Sequence, residues 1–238
     1  MPYMHYLPLM LLIMAVMFVS VKTGKLTFAG AITGGAIAIM IFAGAAYTGI
    51  AMLGAFFIFG TAATVWKKKE KQQFKPIEDR STKRNAGQVL ANGGMPAVIG
   101  ILIYLIPLKA GLLRMMMGAS LASAMADTLS SELGTVYGKR FYNIITFNKD
   151  ERGLDGVISV EGTLMGIGGS MVIAIVYALG FGWNSSFLFI IIAGTIGNIS
   201  DSVLGVLLER KRYLNNDTVN FLNTFIAAIA VWLSVLLK

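Results

Sequence analysis

The chain has no cysteine and only one histidine, His5 near its amino terminus. Disulfides and thiolate metal centres are therefore excluded, and His5, standing alone, is no basis for a site. Charge is also scarce, at 13% of 238 residues, whereas 56% are apolar and 27 are glycine. That balance excludes a soluble globular domain and belongs to a chain that spans a bilayer. At roughly 20 residues per crossing, the length holds about eight helices with short connections and leaves no room for a separate soluble domain. The expected fold is all-α, a polytopic membrane protein forming a single transmembrane helical domain over residues 1–238.

Apolar runs long enough to cross lie at residues 4–20, 26–45, 48–66, 89–106, 112–131, 159–180, 187–207 and 219–237. The first has no basic segment before it and no small-residue cleavage site after it, so it is expected to be a retained helix and not a signal peptide. The net charge of +8 raises nucleic acid as a partner, but the positions of the basic residues argue otherwise. Lys22 and Lys25, the run from Lys67 to Arg84, then Lys139, Arg140, Lys149 and Arg152, and finally Arg210, Lys211 and Arg212 fall on alternate connections. By the positive-inside rule those connections are cytoplasmic, which puts both termini outside in a cell's inner membrane and makes the bilayer, with no nucleic acid, the partner of this charge. Lys109, Arg114 and Lys238 remain near the other side.

Glycines at four-residue spacing, such as Gly30 and Gly34 or Gly162 and Gly166, read as helix-packing positions, and Met115, Met116 and Met117 as filler. Acidic residues inside such spans are different, because each costs about 2.5–3.5 kcal/mol at the centre of an inserted helix unless a partner, an ion or water compensates. Asp127 lies toward the inner end of the fifth span, with Ser123, Ser130 and Ser131 on the same helical face and Glu132 following. Asp201 lies toward the inner end of the seventh, in line with Gly194, Asn198 and Gly205. Asn216, Asp217, Asn220, Asn223 and Thr224 open the eighth span, while Arg84, Gln88 and Asn92 mark one face at the start of the fourth. Lysine and arginine alone set the topology, yet it brings these four polar faces to one side of the membrane. A helix cap or interhelical hydrogen bond accounts for any one of them; four together point to a site.

Carboxylate and amide oxygens suit a hard cation, and Mg2+ commonly takes one or two carboxylates together with substrate phosphates. Phosphate chemistry follows. The adjoining loop offers Lys149 and Arg152 beside Gly153 and Gly156, a combination able to hold phosphates by charge and backbone amides. The nearest approach to a phosphate-binding P-loop, Gly134 to Arg140, is one residue short and lacks the hydroxyl after Lys139, so that motif is rejected.

The segments Gln88–Gly93, Ala126–Thr128 with Ser131–Gly134, Asp201–Gly205 and Asn216–Asn220 resemble, in order and spacing, the family of plant phytyl-phosphate kinase and animal transmembrane protein 19. The resemblance covers most of residues 84–237. It implies transfer of a nucleotide's terminal phosphoryl group, with CTP as donor, to a prenyl monophosphate such as phytyl or geranylgeranyl phosphate. In that reading Asp127 and Asp201 are catalytic and bind magnesium with Glu132. Arg84, Asn92, Ser131, Lys149, Arg152, Gly153, Gly156, Asn198, Asp217 and Asn220 contact nucleotide or phosphate. Residues Gly153–Val157 depart from a more glycine- and threonine-rich family pattern, as does Glu209-Arg210 from a more neutral helix end. An ion or solute carrier and a kinase of free prenyl alcohols are the competing expectations. A carrier, however, places its polar groups near the midplane and is built from repeats, and no repeat is evident here.

Overall fold

The computed structural model describes residues 6–74 and 83–236; His5, Lys75, Arg80 and Lys238 lie outside the described residues. Its helices are α1 (Tyr6–Lys22), α2 (Phe28–Val65), α3 (Lys68–Gln72), α4 (Ala86–Leu105), α5 (Ala110–Tyr137), α6 (Val160–Phe181), α7 (Ser186–Leu204) and α8 (Asn216–Leu236). A single pair of two-residue strands, β1 (Tyr142–Asn143) and β2 (Val157–Ile158), runs antiparallel in the connection between α5 and α6. This small hairpin holds the only two strands among the described residues.

Two crossings are contained in α2. Ala46, at φ 49° and ψ −143°, leaves helical geometry in the middle of the element. In a straight helix Ile41 and Gly49 would be about 12 Å apart, yet a Cβ on Gly49 would lie 2.7 Å from the Ile41 side chain, so the chain turns back on itself here. The first half then runs beside α4, where Gly44 and Gly100 let the two backbones touch: a Cβ on Gly44 would sit 2.5 Å from the Gly100 carbonyl oxygen. The second half returns past Arg84 and Thr128, which lie near Gly60. The runs expected at 26–45 and 48–66 are these two halves.

Among the described residues, five helices, namely α2, α4, α6, α7 with its following turn and α8, are long and apolar enough to cross a membrane, and α1 is a shorter apolar helix of 17 residues. α5 is the least apolar of the long helices because the others enclose it. It packs on α2, α4, α6, α7 and α8, and its small residues, including Ser120, Ala122, Ser123 and Ala126, are buried. Ser120 Oγ donates to the Thr224 carbonyl at 2.7 Å, and Ser170 Oγ on α6 donates to the Ala122 carbonyl at 3.3 Å. Interhelical hydrogen bonds of this kind contribute about 0.6 kcal/mol each in a bilayer, so close packing through small residues carries most of the association.

Alternation of the crossings brings the end of α1, the two ends of α2, the starts of α4, α6 and α8 and the ends of α5 and α7 to one side of the bundle. Side chains close the helix starts there. Thr27 accepts from Gly30 N, Asn85 and Gln88 form a reciprocal capping box on α4, and Ser159 accepts from Gly162 N. A backbone bridge between Leu26 and Arg84 ties the start of α2 to that of α4. At the end of α7, residues Gly205–Glu209 form a π turn, with Arg210 N donating to the Gly205 carbonyl at 3.0 Å. Such bulges widen a helix locally and are frequent beside functional sites.

Candidate functional site

At this end the helices part around a cavity of about 1140 Å³. Arg84, Asn92, Asp127, Ser131, Glu132, Gly153, Gly156, Asn198, Asp201 and Asn220 all line it, so the faces expected on the fourth, fifth, seventh and eighth crossings do converge. A chain of hydrogen bonds holds the acidic residues in place. The Asn223 side-chain amide donates to Asp201 Oδ1 at 2.7 Å, and Asn223 Oδ1 accepts from Ser123 Oγ at 3.0 Å. The carboxyl groups of Asp127 and Asp201 line the cavity close enough for their charges to interact. Ser130 Oγ donates to Asn198 Oδ1 at 2.9 Å, which joins α5 to α7 one turn away.

Cations occupy the same cavity. Lys68, Lys71, Lys83 and Arg84 line it together with the carboxylates of Asp127, Asp155, Asp201 and Glu209. The Arg84 guanidinium stacks 5.4 Å from the centre of the Phe56 ring. Burial lowers the Arg84 pKa from its ordinary value, and the nearby charges of Glu132 and Asp127 work against that loss.

Lys71 is the residue that the sequence reading missed. It belongs to a basic run that reads as topology signal, yet it is 3% exposed. Its Nζ ion-pairs with Glu132 and donates to the carbonyls of Ala63 at 2.7 Å and Thr64 at 3.0 Å. The carbonyls at the end of α2 attract a cation in any case, because a helix carries partial negative charge there. Glu132 is thus the partner of Lys71, and it lines the same cavity as Asp127 and Asp201.

Three expected phosphate contacts are placed elsewhere. Lys149 is exposed on a bridge to Tyr142. Arg152 stacks on Phe74 at 4.2 Å and Phe141 at 5.5 Å, where it fastens the α5–α6 connection to the end of α3 instead of lining the cavity. The Asp217 carboxylate faces Gly87 in the first turn of α4, where helix-end partial charge favours an anion. Gly153 and Gly156 do reach the cavity, at φ 88° and 69°. A Cβ on Gly156 would strike the Ser202 carbonyl and Val206, so this glycine lets the loop dock directly on the π turn.

Among the described residues, no group of three or more His, Cys, Asp and Glu side chains is arranged to hold a metal by itself. Two adjacent enclosed carboxylates nevertheless fit a magnesium ion whose shell is completed by substrate phosphates. The buried Oδ1 of Asn92, which has no hydrogen-bond partner, offers a further oxygen to the same cavity.

The chain is 36% identical over 180 residues to the membrane protein MJ0933 of Methanocaldococcus jannaschii, covering 75% of this chain and 72% of that protein. It is 32% identical over 200 residues to the membrane protein sll0875 of Synechocystis, covering 82% and 77%. With Protein VTE6, chloroplastic, of Arabidopsis thaliana it shares 33% identity over 188 residues, which is 76% of this chain and 56% of the plant protein. No solved structure matches it significantly. These likenesses bear out the resemblance to the phytyl-phosphate kinase and transmembrane protein 19 family. Residues 11–228 match the family described as Integral membrane protein DUF92, and the chain belongs to that family.

Proposed function

We propose that this protein is a membrane-embedded kinase that transfers the terminal phosphoryl group of a nucleoside triphosphate, CTP, to a prenyl monophosphate such as phytyl or geranylgeranyl phosphate, giving the diphosphate. The observation that carries this reading is the shared cavity at the helix ends, in which the Asp127–Asp201 pair stands with Lys71, Lys83 and Arg84. Carboxylates that suit a metal and cations that suit phosphates, in one enclosure large enough for two phosphorylated molecules, are what phosphoryl transfer requires.

Asp127 and Asp201 are the residues that would hold magnesium, with the Asn92 carbonyl oxygen close enough in the fold to share the cavity. The ion supplies charge neutralisation on the nucleotide's phosphates when bound. Asn223 keeps Asp201 turned into the cavity, and Glu132 keeps Lys71 there. Lys71, Lys83 and Arg84 offset the negative charge of the donor and acceptor. A phosphate oxygen of the acceptor forms the new bond to the terminal phosphorus, the bond to the bridging oxygen breaks, and the nucleoside diphosphate leaves. That acceptor is already ionised, so no general base is needed. A free prenyl alcohol would need one. By the distribution of lysine and arginine, the cavity faces the cytoplasm of a cell's inner membrane and both termini face outward.

A carrier is the second reading, since buried carboxylates also mark transport pathways. The cavity lies at one end of the bundle, with Ile41, Ile99, Met117, Leu121, Ile173 and Ile190 fully packed beyond it, which favours the kinase. The test is phosphate transfer by purified protein in detergent with magnesium, from labelled CTP, ATP, GTP or UTP to phytyl and geranylgeranyl monophosphates. Diphosphate formed from CTP supports the reading. No product from any donor with folded protein rejects it.

A further inference from the structure

A prenyl monophosphate has a charged head and a chain of apolar carbons, so a polar cavity that accepts the head needs an apolar way out for the chain. A groove with that character adjoins the cavity. It is about 200 Å³ in volume and is lined by Tyr142, Ile158, Ser159, Val160, Thr163 and Leu164. Ile158, Ser159 and Thr163 also line the large cavity, so the two spaces share a wall. Most of the groove's lining is apolar, and its only hydroxyls away from Tyr142 are engaged. Ser159 Oγ accepts from Gly162 N at 3.1 Å, and Thr163 Oγ1 donates to the Ser159 carbonyl at 3.1 Å.

The groove opens onto the outer face of α6. Val160 is 68% exposed and Leu164 61% exposed. Beyond them a Cβ on Gly168 would meet nothing, and Met171 continues the same apolar face toward the middle of the span. Positions 160, 164, 168 and 171 fall on one side of a helix, so they form a track leading from the cavity into the hydrocarbon of the bilayer.

We propose that the acceptor's prenyl chain leaves the cavity through this groove between the β1–β2 hairpin and the first turns of α6, and lies along Val160, Leu164 and Met171. This rests on the kinase reading for the identity of the acceptor. Chain length is then sensed along α6, outside the polar cavity.

The test uses a geranylgeranyl monophosphate bearing a terminal diazirine, bound to the protein in nanodiscs, irradiated and mapped by mass spectrometry. Labelling of α6 between Val160 and Met171, competed by unlabelled geranylgeranyl monophosphate but not by excess anionic phospholipid, is the expected result. Labelling confined to other helices, or equally competed by phospholipid, overturns the groove even when the protein is an active kinase. Competed labelling on α6 without turnover of any acceptor retains the groove and rejects the kinase reading. In a parallel kinetic arm, Leu164→Trp fills the track and raises KM for geranylgeranyl monophosphate about tenfold, while dimethylallyl monophosphate turnover and the control Tyr104→Trp, at an exposed position on the far end of α4, stay unchanged. Equal loss for the short and long acceptors contradicts the proposal.

Discussion

Asn223 stands between Ser123 and Asp201, donating to the Asp201 carboxylate at 2.7 Å while its own carbonyl accepts from Ser123 at 3.0 Å. It is fully buried, so water cannot replace either bond. Asn223→Ala leaves Asp201 without its orienting donor, and we expect the magnesium concentration for half-maximal activity to rise about 10- to 100-fold, as for other residues that orient a metal ligand. Titration of activity with magnesium checks this. An unchanged titration means that Asn223 only packs.

The Lys71–Glu132 pair yields a second expectation. Removing one member of an enclosed ion pair costs up to about 3–5 kcal/mol, a loss that the Arg84 charge beside Glu132 moderates here. Lys71→Met is therefore expected to lower thermal stability in detergent sharply, and Lys71→Met with Glu132→Leu to regain much of it. Activity should stay low in both if Lys71 offsets phosphate charge, and a return of activity in the double variant would show its role to be structural.

Gly156 bears on the loop over the cavity. At φ 69°, with the Ser202 carbonyl and Val206 against its Cα, it has no room for a side chain. Gly156→Ala should cost about 1–3 kcal/mol of local stability through backbone strain and expose the α5–α6 connection to limited proteolysis. Cleavage at the rate of the unsubstituted protein contradicts this.

Asp150 gives the same connection a pH dependence. The backbone N–H of Glu151, the Arg210 guanidinium at 2.9 Å and the Asn143 amide hold its carboxyl below the ordinary value of 3.8. Because the native value is the lower one, this contribution is fully present above the ordinary range and is lost as pH falls through the native value. Proteolytic protection of residues 138–159 should decline only in strong acid, and Asp150→Asn should be less protected at neutral pH and indifferent to acid over that range.

The spans were legible because apolar run length and basic-residue alternation are set locally, and even the division of α2 at Ala46 falls between two expected runs. The convergence of Asn92, Asp127, Asp201 and Asn220 was legible because helical periodicity fixes which residues share a face. Lys71 was not. It lies 61 residues from Glu132, and nothing within Lys67–Lys71 distinguishes the lysine that folds inward from those that remain solvated. Arg152 and Asp217 show the converse, since their charge suits phosphate in sequence while an aromatic pair and a helix start claim them in the fold.

The most direct test of the account compares the protein with Asp127→Asn and Asp201→Asn in phosphate transfer from labelled CTP to geranylgeranyl monophosphate, with folding verified by size-exclusion profile and thermal melt. The account predicts labelled geranylgeranyl diphosphate from the unsubstituted protein and a loss of at least about 100-fold in each variant. Turnover that survives either substitution, or its absence from the unsubstituted, folded protein with every donor, would contradict it.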